Sequence, residues 1–202
     1  DGSSLVLNNV LNKLPSGTIT IEGTPSEHNT LTIEGLSSIN DEDGVGTLHF
    51  QWYADGVAIP DATTTSLTLT QNEVGKAITV GVSYTDDFGK LETLTSEPTE
   101  AINNANNDPT GTLKIIGVRE EDSTLAVDTS DIGDVDGINS ETIEYQWYRN
   151  DVPIEGEIGV TYTLQQADVD ASIHVSLTYT DEGGKVETVV SDHTGSIKNT
   201  ND

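Results

Sequence analysis

Ile78-Thr79-Val80-Gly81-Val82-Ser83-Tyr84 alternates apolar and polar residues without a break, and Ile173-His174-Val175-Ser176-Leu177-Thr178-Tyr179 does so again further along. Successive side chains of a strand point to opposite faces, so each run predicts a strand with one buried and one wet face. Working outward, the same pairing recurs on both sides. Leu48-x-Phe50-x-Trp52 matches Ile143-x-Tyr145-x-Trp147, and the turns Asp55-Gly56 and Asn150-Asp151 follow. Leu67/Leu69 matches Tyr162/Leu164, Leu31/Ile33 matches Leu125/Val127, and Ile19/Ile21 matches Leu113/Ile115. A last strand begins near Lys90 and near Lys185; its inward parity does not read cleanly, and a bulge would account for that. No helical period of useful length is present. Seven short strands in about 90 residues, with one Trp on the third, predict an all-β chain of two tandem immunoglobulin-like sandwiches. Leu67–Gly75 and Leu164–Asp170 then form the corner before the sixth strand.

The two copies are separated by Asn103-Asn104-Ala105-Asn106-Asn107-Asp108-Pro109-Thr110, which carries no apolar periodicity. Pro109 has no N–H for a ladder and pushes Asp108 into an extended conformation. The expected division is 1–16 as the end of a preceding linker, 17–106 as the first repeat and 107–202 as the second, with 103–110 joining them. A linker at each end reads as a stretch of a longer array. Each repeat is long enough for its own core. There is no Cys, so disulfides, Cys-ligated zinc and thiol redox chemistry are excluded. With 35 acids against 8 bases the formal charge is −27, which repels nucleic acid and anionic lipid and attracts multivalent cations. Neither a secretory signal nor an apolar run of about 18 residues is present, so membrane insertion is not expected.

Gln51-Trp52-Tyr53, Gln146-Trp147-Tyr148, Thr163-Leu164-Gln165-Gln166-Ala167-Asp168-Val169, Tyr179-Thr180-Asp181 and the Asn/Asp-Pro-Thr-Gly linker resemble the tandem Ig-like repeats of giant secreted bacterial adhesins. Those are RTX-type, type I-exported surface proteins that also carry cadherin-like modules. The resemblance implies an extracellular, calcium-rich setting at a bacterial cell surface. It also implies a spacer or adhesive role, with neighbouring repeats of the same chain and a cell-surface glycan or protein as partners. The linker resembles the interdomain segment of cadherins, with Asn103, Asn104, Asn106 and Asn107 where acids are often found.

The acids point the same way. In a sandwich of this topology the loop after the second strand and the loop before the last strand share one end with the incoming linker. In the first repeat these loops hold Asp41, Asp43, Asp86 and Asp87; in the second they hold Asp134, Asp136, Asp181 and Glu182, beside Asn106 and Asp108. Glu27 and Glu73, at the far end of the first repeat, are expected to face the joint from the other side. Calcium takes six to eight oxygens, and Asp-x-Asp-Gly offers two carboxylates on one side of a tight turn. An acidic turn alone is unremarkable, because Asp and Gly are common turn residues. Five acids at one pole are another matter: two unit charges about 6 Å apart repel by about 0.7 kcal/mol even in water. Ca²⁺ at the central joint is therefore expected, with a weaker site in the first repeat because Leu14 stands where the second has Asp108.

Catalysis is not expected. No nucleophile–base pair and no phosphate loop is present, and Ser191-Asp192-His193 is contiguous, whereas a triad converges from separate elements. His28, His49, His174 and His193 are scattered without ligand spacing, and His49 and His174 alternate with core residues, which predicts solvated strand faces. The alternative to a spacer is a carbohydrate-binding module in which outward-facing Tyr53 and Tyr148 stack on sugar.

Overall fold

A computed structural model describes residues 11–200 of the chain. Asn8, Asn9 and Val10 of the expected preceding linker lie outside the described residues, as do residues 201 and 202. The chain divides into two compact units between Ala105 and Asn106.

The first unit contains β1 (Thr20–Glu22), β2 (Thr30–Glu34), β3 (His49–Ala54), β4 (Val57–Ala58), β5 (Ser66–Thr68), β6 (Ile78–Thr85) and β7 (Leu91–Thr95). They form a three-stranded sheet β1-β2-β5 and a four-stranded sheet β4-β3-β6-β7, antiparallel throughout. The second unit repeats the plan with β8 (Lys114–Ile116), β9 (Thr124–Asp128), β10 (Glu144–Arg149), β11 (Val152–Pro153), β12 (Thr161–Thr163), β13 (Ile173–Thr180) and β14 (Val186–Val190). Its sheets are β12-β9-β8 and β11-β10-β13-β14. Strands consecutive in sequence are shared between facing sheets, which is the immunoglobulin-like arrangement.

The cores follow the alternation. Trp52 packs with Leu31, Leu69, Ile78 and Val80, and Trp147 packs with Leu125, Leu164, Ile173 and Val175, all buried. Each indole N–H donates to a loop carbonyl, Trp52 to Thr64 at 2.9 Å and Trp147 to Gly159 at 2.8 Å, so neither buried donor is left unpaired. With no cysteine in the chain, the sheets are held together without a disulfide. The β6–β7 and β13–β14 ladders run in unbroken register, Thr85↔Leu91 to Gly81↔Thr95 and Thr180↔Val186 to Ser176↔Val190. No bulge is needed. Parity is hard to read there because the outward residues Leu91 and Val186 are apolar while the inward ones, Glu92 and Glu187, are acidic.

The ends of each unit are pinned as well. Ser16 bridges Asn40 and Thr110 bridges Gly133, which lays the incoming chain along the sandwich; Ile102 bridges Val74 and Ile197 bridges Val169 on the way out. His49 is exposed, as its alternation predicts, whereas His174 is only 7% exposed. The expectation of a solvated face fails at His174 because Tyr148, its partner across the β10–β13 ladder, stacks flat on the ring with centroids 4.5 Å apart.

Candidate metal centres at the acidic poles

In the second unit the turn Asp134-Val135-Asp136-Gly137 folds on itself through the Asp136 N–H, which donates to Asp134 Oδ1 at 2.9 Å. Gly137 sits at φ +88, a conformation that favours glycine, with the Glu182 side chain beside it. The Glu182 N–H donates to the Asp136 carbonyl, tying the turn to the β13–β14 loop. In that loop Asp181 Oδ1 accepts the Lys185 N–H at 2.8 Å. The incoming chain joins the same place, with the Asn107 N–H donating to Asp136 Oδ2.

The first unit builds the same pole. Asp43 N–H donates to Asp41 Oδ1, Asp87 N–H to the Asp43 carbonyl, Lys90 N–H to Asp86 Oδ1 and Lys13 N–H to Asp43 Oδ2. Gly44 is at φ +97 against the Asp87 carboxylate. In each unit a tyrosine hydroxyl from the end of the central strand donates to the turn, Tyr84 to Asp41 Oδ2 and Tyr179 to Asp134 Oδ2. Both phenols titrate far above their ordinary range, chiefly because they are buried and then because the carboxylate they bond to disfavours a second negative charge. Charges of Asp86 and Glu92 act on Tyr84, and those of Asp181 and Glu187 on Tyr179. Each tyrosine thus senses three carboxylates.

Burial makes these poles unusual. Asp41, Asp43, Asp86 and Glu92 are buried in the first unit, and Asp136, Asp181 and Glu187 in the second, with Asp134 half-buried beside them. Carboxylates this shielded ordinarily have a full set of donors. Here, among the described residues, Asp86 Oδ2, Asp181 Oδ2 and Glu187 Oε1 have no hydrogen-bond partner. Glu92 Oε1 accepts from Asn12 Nδ2 at 2.8 Å. The donor set is all oxygen and strongly anionic, which suits a hard divalent cation such as Ca²⁺ and suits zinc or copper poorly.

The residues expected from sequence are partly gathered there. Asp41 and Asp43 share a turn tied by backbone hydrogen bonding to the loop that holds Asp86, and Asp134 and Asp136 share one tied to the loop that holds Asp181, with Asp87 and Glu182 exposed. Asn106 and Asp108 are exposed in the incoming chain, which meets Asp136 through the backbone of Asn107 instead. Glu27 and Glu73 lie at the opposite end of the first unit, beside its outgoing chain. Glu27 Oε2 accepts from Ala105 N–H, and Glu73 Oε2 accepts from the N–H and hydroxyl of Thr70. The structure adds Glu92, Glu187 and Asn12, which the loop motifs do not indicate. The signal for the two glutamates is an acid repeated at the same place in two matching strands, Leu91-Glu92-Thr93-Leu94 and Val186-Glu187-Thr188-Val189.

No family model matches the sequence, and no curated protein sequence matches it. Among solved structures the chain is similar to the three N-terminal domains of the highly immunogenic outer capsid protein of bacteriophage RB49, at 16% identity and TM-score 0.32 over 87% of this chain and 58% of that one. It is similar to murine CEACAM1b at 15% identity and TM-score 0.30, over 90% and 99% of the two chains. Fibronectin(III)-like modules of Clostridium thermocellum CbhA align at 13% identity and TM-score 0.25, over 90% and 95% of the two chains. The chain spans little more than half the length of the phage capsid structure. By its strand order the protein is a tandem pair of immunoglobulin-like β-sandwich domains. Among the described residues no helix is long and apolar enough to cross a membrane.

Proposed function

We propose that each domain binds Ca²⁺ at its acidic pole, and that the chain is a calcium-stiffened extracellular spacer or adhesion repeat of a large bacterial surface protein. The observation that carries this is the orphaned carboxylate oxygen deep in each pole: Asp86 Oδ2 in the first domain, Asp181 Oδ2 and Glu187 Oε1 in the second. An anionic oxygen removed from water without a donor costs several kcal/mol, at least about 1–3, unless a cation lies against it. Asp41, Asp43, Asp86 and Glu92 would hold the ion in the first domain, and Asp134, Asp136, Asp181 and Glu187 in the second. Calcium accommodates many carboxylates in irregular geometry, whereas magnesium demands a small octahedron and keeps its waters. Because the incoming chain is bonded to Asp136 and Asp43 through backbone N–H groups, an ion that fixes those carboxylates also fixes the chain entering each domain. That restriction is the source of the stiffness. Affinity on the order of 10⁻⁴–10⁻³ M suits extracellular calcium.

The test is a thermal melt in calcium, in magnesium and in chelator. Calcium is expected to raise the melting temperature by several degrees and magnesium to do much less. Coincident curves in calcium and chelator would refute the assignment.

A further inference from the structure

Away from the acidic poles, the outer face of the β11-β10-β13-β14 sheet carries a second grouping of a different kind. Asp151 from the β10–β11 turn, His174 from β13 and His193 from the chain after β14 each offer one ligand atom, and these atoms lie within 4.8 Å of one another. His193 Nε2 is 2.8 Å from Asp151 Oδ1, and His174 Nδ1 is 3.6 Å from the same oxygen. The second distance is too long for a hydrogen bond, and His174 Nδ1 is buried with no hydrogen-bond partner among the described residues. The His174 side chain is 9% exposed and stacks on Tyr148 only 6° from parallel, which holds the ring in place with Nδ1 beside Asp151. The rings of His174 and His193 are 4.5 Å apart at their centroids.

We infer that Asp151, His174 and His193 form a binding site for a divalent transition metal, zinc in the first instance, with a fourth position open to water or to a partner's side chain. An ion about 2.0–2.1 Å from each of its tetrahedral ligands sets those ligands about 3.3–3.4 Å apart, between the two distances found around Asp151. Two imidazoles and one carboxylate are a nitrogen-rich set that takes zinc, copper or nickel and does not compete for calcium. Asp151 and His193 are 76% and 49% exposed at their side chains, so an ion reaches the site from solvent without opening the domain. Asp151 occupies a turn position at φ +67 where the first domain has Gly56, which turns a conformational requirement into a delivered carboxylate. The first domain has Thr79 and Pro98 at the other two places, so the same fold supplies an internal comparison without the ligands.

The experiment is calorimetric titration of the full chain with zinc chloride in excess calcium, so that the all-oxygen poles are already filled. About one zinc ion per chain is expected. Asp151→Asn and His193→Gln, both at exposed positions that leave the core intact, are each expected to weaken binding at least about tenfold. In long-range ¹H–¹⁵N spectra of the imidazoles, His174 Nδ1 and His193 Nε2 are expected to shift on addition of zinc. Absence of saturable zinc binding, or binding equally strong in both variants, would overturn the assignment. Calcium-dependent melting remains a separate measurement, so failure of one site leaves the other to its own test.

Discussion

At the scale of single residues, the buried acids of this protein divide by what surrounds them. Asp168 is fully buried but well supplied: Arg149 Nε donates to Oδ1, and the Tyr162 hydroxyl and Gln165 N–H donate to Oδ2 at 2.6 and 2.7 Å. It closes a corner and needs no ion. Its counterpart Glu73 has Ala54 where the second domain has Arg149, and uses Thr70 instead. Removing the phenol by Tyr162→Phe is expected to cost about 1.5–3 kcal/mol at neutral pH, the range for hydrogen bonds to charged groups. Burial first, and then the bond to Asp168, raise the Tyr162 pKa well above its usual value, with Arg149 opposing. The folded chain therefore holds that proton more tightly than the unfolded one. Its contribution is complete below about pH 10 and is lost as the pH climbs from there toward the folded-state value. Denaturant titrations at a series of alkaline pH values are expected to show a shallower decline for Tyr162→Phe than for the parent. Parallel declines would refute this account of the hydroxyl.

At the scale of elements, β7 and β14 show both how much of the fold is legible in the sequence and where legibility stops. The period-two pattern reads correctly for β3, β6, β10 and β13 because hydrophobic burial wrote it. It blurs at β7 and β14 because the inward positions nearest the pole hold Glu92 and Glu187, and a polarity pattern treats an inward carboxylate as an outward one. The aspartates of the poles are legible as turn motifs, while these glutamates are hidden because an inward carboxylate breaks the apolar alternation. His174 departs from its pattern for a related reason: its position faces outward, but Tyr148 covers it, and cross-strand stacking leaves no trace in spacing. A strand that carries a ligand inward should respond to substitution with opposite signs in the two ionic states. Glu187→Gln is expected to raise the melting temperature in chelator, because it removes a shielded like charge from the pole, and to reduce the calcium-dependent rise in the same samples. Loss of stability in chelator would mean that Glu187 is held by the protein alone.

At the scale of the whole molecule, the two domains carry the same pole, so calcium dependence should be distributed between them. Leu14 stands where the second domain has Asp108, but Asp108 is exposed and both incoming segments attach through a backbone N–H, that of Lys13 or Asn107. The net charge of −27 raises a competing explanation, in which any added cation stabilises by screening. The two are separable by concentration. Screening requires the Debye length to shrink from about 10 Å at 0.1 M salt to about 3 Å at 1 M, whereas a site fills once its ligand exceeds the dissociation constant. At a fixed background of 0.15 M sodium chloride, a few millimolar calcium hardly alters the ionic strength, yet it is expected to raise the melting temperature by several degrees. Asp41→Asn with Asp43→Asn, and Asp134→Asn with Asp136→Asn, are each expected to remove part of that rise, and the four together nearly all of it. If instead the quadruple variant responds to calcium as the parent does, the ion is acting on the diffuse surface charge and the poles are only acidic turns.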